Sequence, residues 1–341
     1  MRLAWCLALL LVAAGAWGGA AAEVPRAGRF ENPAGPPPPD VAPGEWARHL
    51  VRMQLGMFPK AGDLPHGHVL TEAAARAGLA EAGRARLAVT WIGHSTVLVR
   101  MGGKWIITDP ALMPSIGVGP LSLARLAPLR PALADFPRID VVLISHGDYD
   151  HLDLRSLRRL VVRNPELIFI VPEGNARLLA PLHARHVVEV GWYERRTWEG
   201  LRFEAVPAIH GFRRPPEPKD SAHWAGWIVR DGDHALYFAG DTGFGPVFRE
   251  VRRRSGPVDF ALVPIGAYEP RRLEAPFHVS PEEAAGIADI LGARVAIGIH
   301  WGTFPLSEEA PTEQRSRYLA ASGGGLATLA PRIGETIVLV K

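Results

Sequence analysis

Residues 145–153 read Ser145-His146-Gly147-Asp148-Tyr149-Asp150-His151-Leu152-Asp153, directly after the apolar run Val141–Ser145 and directly before the amphipathic stretch Leu154–Val162. The run predicts a short buried strand and the stretch a helix. The loop between them then carries His146, Asp148, Asp150 and His151, four metal-competent side chains within six residues. A strand-to-helix turn can aim such side chains into one cavity, but it needs distant partners to complete a coordination sphere. Three candidates stand at the ends of other predicted strands: His210 after Phe203–Ile209, Asp241 in Ala239-Gly240-Asp241-Thr242-Gly243, and His300 after Val295–Ile299. Each has an ordinary reading beside the chemical one. A lone histidine past a strand is more often a hydrogen-bonded loop residue, and Asp241 suits a turn before Gly243. The joint pattern of one dense cluster and three later strand-end residues argues for a metal site. Imidazole and carboxylate donors suit zinc, iron or manganese.

Composition agrees. Thirteen histidines stand beside a single cysteine, Cys6, which excludes a disulfide framework and a thiolate zinc site. The 341 residues, 48% hydrophobic and 21% charged, can bury a real core and describe neither a disordered chain, a coiled coil nor a multi-pass membrane protein. A formal charge of +3, with no basic block denser than Arg252-Arg253-Arg254, gives no nucleic-acid footprint. His49, His66, His68, His183, His186, His223 and His234 lack the strand-end context and read as structural.

Met1-Arg2, the apolar run from Leu3 to about Trp17 and the small residues Gly18–Ala22 predict a secretory signal peptide over residues 1–22, cleaved after Ala22. The expected location is then a bacterial periplasm, with an uncleaved anchor as the alternative. Residues 23–86 read as an N-terminal arm, Pro-rich at Pro36–Pro39, with helices expected at Glu45–Met53 and near Thr71–Ala82. Residues 87–341 carry alternating strand and helix signals. Strands are expected at Leu87–Ile92, Thr96–Met101, Trp105–Thr108, Leu167–Val171, Val187–Val190, Leu201–Val206, Ala225–Arg230, Ala235–Ala239, Phe260–Pro264, Val295–Ile299 and Thr336–Val340. Helices are expected at Gly174–Leu182, Pro246–Arg254 and Pro281–Leu291, the last opened by Ser280 as N-cap and Glu283 three residues on. The pattern gives an α/β (α+β) protein with two sheets sandwiched between helices.

The order of these motifs resembles the metallo-β-lactamase superfamily, and more narrowly its N-acylphosphatidylethanolamine-hydrolysing phospholipase D group and bacterial relatives. The resemblance runs from Phe30-Glu31-Asn32-Pro33 through Thr90–Ser95 (TWIGHS), Thr108-Asp109-Pro110, the 145–153 stretch and Ala239–Phe244 (AGDTGF). It continues through Pro264–Arg271 (PIGAYEPR), His278–Ala284 (HVSPEEA) and Ile299–Phe304 (IHWGTF).

That resemblance implies an αββα sandwich with two divalent metal ions at one edge, zinc being the first expectation. One metal would be held by His146, His210 and position 148, the second by Asp150, His151 and His300, with Asp241 bridging. At position 148 the family carries histidine and this chain aspartate. Either Asp148 ligates, which gathers three carboxylates and admits iron or manganese, or it is too short and the first metal is weakly held; ligation is the expectation. The implied chemistry is phosphodiester hydrolysis by a metal-bound hydroxide, with Asp150 orienting it and His278 contacting phosphate or protonating the leaving group. His94 and Asp109 would orient the ligands, and Tyr268 and Trp301 would line the substrate mouth or belong to the core. The expected substrate is a small-molecule or lipid phosphodiester, with peripheral membrane contact through Leu50, Met53, Leu55, Met57 and Phe58 as one option and ordinary packing of these residues as the other. Two further readings stay open: a lactone or ester hydrolase like the ascorbate-6-phosphate lactonase branch, and a binding protein whose metal site has decayed at position 148.

Overall fold

The computed structural model describes residues 30–33, 41–42 and 44–341. The expected leader, residues 1–22, lies outside them. Among the described residues no helix is long and apolar enough to cross a membrane.

Two seven-stranded sheets form the centre of the molecule. From edge to edge the first runs Thr336–Val340, Leu87–Gly93, Thr96–Met101, Lys104–Thr108, Val141–Leu143, Ile168–Pro172 and His186–Val190. The second runs Ala327–Leu329, Val295–Ile299, Phe260–Pro264, Ala235–Phe238, Gly226–Arg230, Leu201–Val206 and Arg195–Trp198. Each sheet is antiparallel in one half and parallel in the other. The parallel strands Ile168–Pro172 and Phe260–Pro264 are buried along their whole length, which is why they read as unbroken apolar runs rather than alternating ones.

The facing surfaces of the sheets share one core, in which Val89, Val99 and Ile106 of the first meet Phe203, Val229 and Leu236 of the second. On the outer face of the first sheet, Leu79, Leu157 and Leu160 of helices Glu72–Ala82 and Leu154–Arg163 pack with Leu98 and Ile107. Helix Pro281–Leu291 covers strands Phe260–Pro264 and Val295–Ile299 of the second and packs beside Val247–Ser255 and Pro311–Ala320. The layering is therefore helix, sheet, sheet, helix.

Most expected elements are present within one or two residues of their predicted ends. Gly174–Leu182 is a 3₁₀ segment over Ala176–Leu182, because Pro181 lies inside it and denies the α-helical hydrogen bond. The strands Arg195–Trp198 and Ala327–Leu329 and the helix Pro311–Ala320 were not expected. Both strands are short sheet edges, Arg195–Trp198 mostly exposed and Ala327–Leu329 only three residues long, so they carry little apolar pattern.

The arm lies against the sandwich. Its helix Glu45–Gln54 is tied down by an ion pair of Glu45 with Arg272 and by His49, buried between Glu274 and Glu308 at 3.4 Å from each. Leu50 and Met53 are half-buried and Phe58 is buried, whereas Leu55 and Met57 are 64% and 59% exposed.

Candidate metal centre

The loops that follow the strands at one end of the sandwich supply the site, as the carboxyl ends of parallel strands commonly do. After Val141–Leu143 come His146, Asp148, Asp150 and His151. Asp153 closes the same loop as N-cap of the next helix, accepting from the Arg155 and Ser156 backbone N–H groups. Asp241 follows Ala235–Phe238 and His300 follows Val295–Ile299. Gly240, at φ +60°, lets the Asp241 loop close on the first: a Cβ there would stand 2.4 Å from Ser145 Cβ.

The side chains converge. His146, Asp148 and His210 offer ligand atoms within 4.8 Å of one another, as do His94, Asp150, His151 and His300, and also Asp241, His278 and His300. Asp241 Oδ2 lies 3.1 Å from His151 Nε2, 3.2 Å from His300 Nε2 and 3.8 Å from His278 Nδ1. Asp148 Oδ2 is 3.8 Å from His146 Nε2 and 4.0 Å from His210 Nε2, while its Oδ1 accepts from the Arg213 N–H at 2.7 Å. The aspartate is therefore long enough to reach both histidines.

Hydrogen bonds set the histidine tautomers. Asp109 accepts from Ser145 N at 2.7 Å, from Ser145 Oγ at 2.5 Å and from His151 Nδ1 at 2.7 Å. With its proton given to Asp109, Ser145 Oγ can only accept, and it takes the Nδ1–H of His146 at 2.9 Å. His210 Nδ1 donates to the Phe277 carbonyl at 3.2 Å. In His146 and His210 Nε2 is left as the free acceptor, the usual state of a ligating imidazole whose other nitrogen is braced, while His151 Nε2 faces Asp241 Oδ2 at 3.1 Å. The buried Nε2 of His146 and Oδ1 of Asp241 have no hydrogen-bond partner, and the Nε2 atoms of His151 and His300 meet only the Asp150 and Asp241 carboxylates. Unpartnered buried polar atoms are costly, and these share one small volume. The donor set fits divalent metal ions.

Charge tells the same story. Burial lowers the imidazoles of His94 and His278 to about 3 and that of His210 to about 4. For Asp150 and Asp241 burial opposes ionisation, but the His151 ring outweighs it and holds both carboxyls well below their usual range. Burial would lower His151 too, yet Asp241 and Asp150 raise it far above 6.5. In the metal-free protein the His151 proton thus serves as the cation these carboxylates demand. Burial, then the Asp150 charge, lifts Asp148 to about 7.

The backbone is held under tension around the same point. His94, Asp109, Ala267 and His300 have φ of 54°, 33°, 65° and 60°, each costing about 1–3 kcal/mol for a non-glycine residue. Such costs persist where surrounding bonds over-determine the conformation: the His300 N–H donates to the His94 carbonyl at 2.9 Å, and the Ala267 N–H to Glu309 at 2.7 Å.

Two cavities meet here. One, of about 540 Å³, is walled by Phe30, Asn32, Arg213 and Phe277; the other, of about 190 Å³, by His49, Leu50, Met53 and Leu306. Trp46, Asp148, His210, Glu274 and His278 line both.

Residues 104–301, more than half of the chain, match the Beta-lactamase superfamily domain. The chain belongs to the metallo-β-lactamase superfamily. Among its members, N-acyl-phosphatidylethanolamine-hydrolyzing phospholipase D 1 of Caenorhabditis elegans is 35% identical over 234 residues, which cover 64% of this chain and 65% of that protein. The chain therefore spans just under two thirds of that relative's length. A UPF0173 metal-dependent hydrolase of Pelotomaculum thermopropionicum is 30% identical over 260 residues, 74% of this chain and 99% of the relative. The metallo hydrolase Igni18 of Ignicoccus hospitalis shares the superfamily fold, with a TM-score of 0.57 at 21% identity over 74% of this chain and 97% of the other. By family the chain is a metal-dependent hydrolase.

Within this superfamily member, the seven expected ligand positions lie together, with His94 and Asp109 braced against them. Tyr268 and Trp301 do not reach the two cavities. Trp301 stacks on Trp91 at 5.3 Å and the fully buried Tyr268 bonds Glu313 at 3.1 Å. Large rings beside a strand end are drawn into the apolar core, so the core option is the one realised. His49, read as structural, faces the smaller cavity because its helix crosses the site. Sequence reasoning also missed Ser145, Arg213 and Glu274. Ser145 is adjacent to His146, which was a usable signal; the other two carry none.

Proposed function

We propose that the protein is a two-metal hydrolase of phosphodiesters of the phospholipase D type, acting on lipid or related phosphodiesters. The observation that carries this reading is the convergence of buried imidazole nitrogens and carboxylate oxygens, His146 Nε2 and Asp241 Oδ1 among them without a partner, on one volume between two cavities. His146, Asp148 and His210 would hold one ion and Asp150, His151 and His300 the other, with Asp241 shared. Such ions, when bound, supply Lewis-acid charge to a phosphoryl oxygen and acidify water. Three carboxylates beside four histidines suit zinc and admit iron or manganese.

The chain's own groups do the rest. Asp150, ionised and accepting from His94 Nε2 at 3.1 Å, can take a proton from the attacking water. His278 is neutral near pH 7, because burial lowers it to about 3. It therefore acts as a neutral hydrogen-bond donor to a phosphoryl or leaving-group oxygen, with its carbonyl fixed by Arg271 Nη1 at 2.9 Å. The two cavities suit the two substituents of a phosphodiester, and the phospholipase D named among the relatives supports that substrate class. The signal-like start of the sequence adds export to the reading.

Incubation of the metal-loaded protein with N-acylphosphatidylethanolamine, a short-chain phosphodiester and a lactone tests it. Release of the amide alcohol and a phosphatidic acid, separated by mass, is the expected result. Cleavage of the lactone alone overturns it in favour of ester hydrolysis.

A further inference from the structure

Phe30-Glu31-Asn32-Pro33 forms a strap along the wall of the larger cavity. Asn32 lies 178 residues from His210 in sequence and bonds its main chain twice: Nδ2 donates to the His210 carbonyl at 2.6 Å, and Oδ1 accepts from the His210 N–H at 2.9 Å. Trp224 Nε1 donates to the same Oδ1 at 3.0 Å, which fixes the amide's orientation. The need for this is visible in the sheet. The ladder between Leu201–Val206 and Gly226–Arg230 ends at the Val206–Gly226 pair, so His210 stands beyond it without a neighbouring strand. The asparagine amide fills both backbone positions as a strand would. With the Nδ1 of His210 held by Phe277, backbone and ring are fixed together, and Nε2 faces Asp148 Oδ2 at 4.0 Å.

We infer that Asn32 is a positioning residue for metal binding, which holds His210 so that its Nε2 completes the site shared with His146 and Asp148. The inference rests on the reading of His210 as a ligand. It also ties the N-terminal tract to the chemistry, because that half of the centre is complete only when the strap is docked. The strap has a second, separate anchor, which supplies a control. The Phe30 N–H donates to the Asp220 carbonyl at 2.9 Å and its ring stacks on His223 at 4.3 Å.

The test measures metal retained by the full chain after dialysis against a weak chelator, counted by elemental mass spectrometry, beside the thermal midpoint of the metal-free protein. Asn32→Ala should weaken one metal equivalent by about 10- to 100-fold, the usual effect of losing a partner that orients a ligand. Asn32→Asp, which keeps the acceptor and loses the donor, should fall between Ala and wild type, and it keeps the test usable should the alanine variant fail to fold. Phe30→Ala should lower the midpoint and leave metal retention unchanged. Full metal retention in both Asn32 variants, with only a lower midpoint, overturns the inference. So does metal loss in Phe30→Ala equal to that in Asn32→Ala, since the whole strap would then be responsible. His210→Ala is the reference: if it keeps every metal, the ligand reading fails and the inference falls with it, whereas metal loss there without loss in the Asn32 variants rejects Asn32 alone.

Discussion

The two halves of the centre are built differently. Asp150, His151 and His300 are held by residues at the ends of sheet strands: Asp109 on His151 Nδ1 at 2.7 Å, His94 Nε2 on Asp150 at 3.1 Å, and the His94 carbonyl on the His300 N–H at 2.9 Å. In the other half His210 and Asp148 are held by irregular segments, namely Asn32 of the arm, the Phe277 carbonyl and the Arg213 N–H. The first half is bound to the rigid core. The second faces the larger cavity, and it holds Asp148 at the position where the resemblance implies histidine. Loops tolerate change where strand ends do not, because a shift in a loop is not passed along a hydrogen-bonded ladder.

Four experiments can break or sharpen this contrast. The largest effect is expected from Asp241→Ala, since the proposed two-metal reading shares its carboxylate between the halves. Turnover should fall to the uncatalysed background, chelation should do the same reversibly, and metal analysis should show loss from both halves; a full metal complement would mean that the halves are independent. Next is Asp109→Ala, which acts directly on the strand-braced half through His151 and reaches His146 of the other half through Ser145. It leaves His151 and Ser145 without their buried partner and should cost about 3–5 kcal/mol in denaturant unfolding.

Acid comes third. His94, His210 and His278 have folded pKa values of about 3 to 4 against 6.5 when unfolded, and His146 is also lowered. Between pH 6.5 and about 4 the unfolded chain takes up protons that the fold refuses. The metal-free protein should therefore lose stability as pH falls, by up to about 1.4 kcal/mol per pH unit for each such ring. Asp148 opposes this: its folded pKa of about 7 lies above the ordinary 3.8, so its contribution weakens the fold as pH rises through that span. Asp148→Asn should steepen the acid loss, read as the thermal midpoint against pH. The smallest effect is expected from Asp148→His, which should keep the centre able to bind metal and move its preference towards zinc. Unchanged metal content and turnover would exclude position 148 as a ligand.

How much could be read from the chain varied by element. Val141–Ser145 and Phe260–Pro264 announced themselves because a strand buried on both faces has to be apolar throughout. The helix at Pro281–Leu291 was legible from its cap, and the Ser280–Glu283 capping box is present with Ser280 N donating to Glu283 at 2.8 Å. Arg195–Trp198 was illegible because an edge strand buries too little to be patterned. Tyr268 and Trp301 show a related limit, since an aromatic residue near a motif reads alike whether its ring faces substrate or core.

The sequence by itself determined the metal-competent donors, their strand-end placement and the fold class, because side-chain chemistry and periodicity are local properties. Only the tertiary structure decided which donors share a volume, that Asp148 reaches His146 and His210, and that Asn32 and His49 of the arm stand at the centre. Those facts depend on segments far apart in the chain packing together, and no local pattern encodes the distance between them.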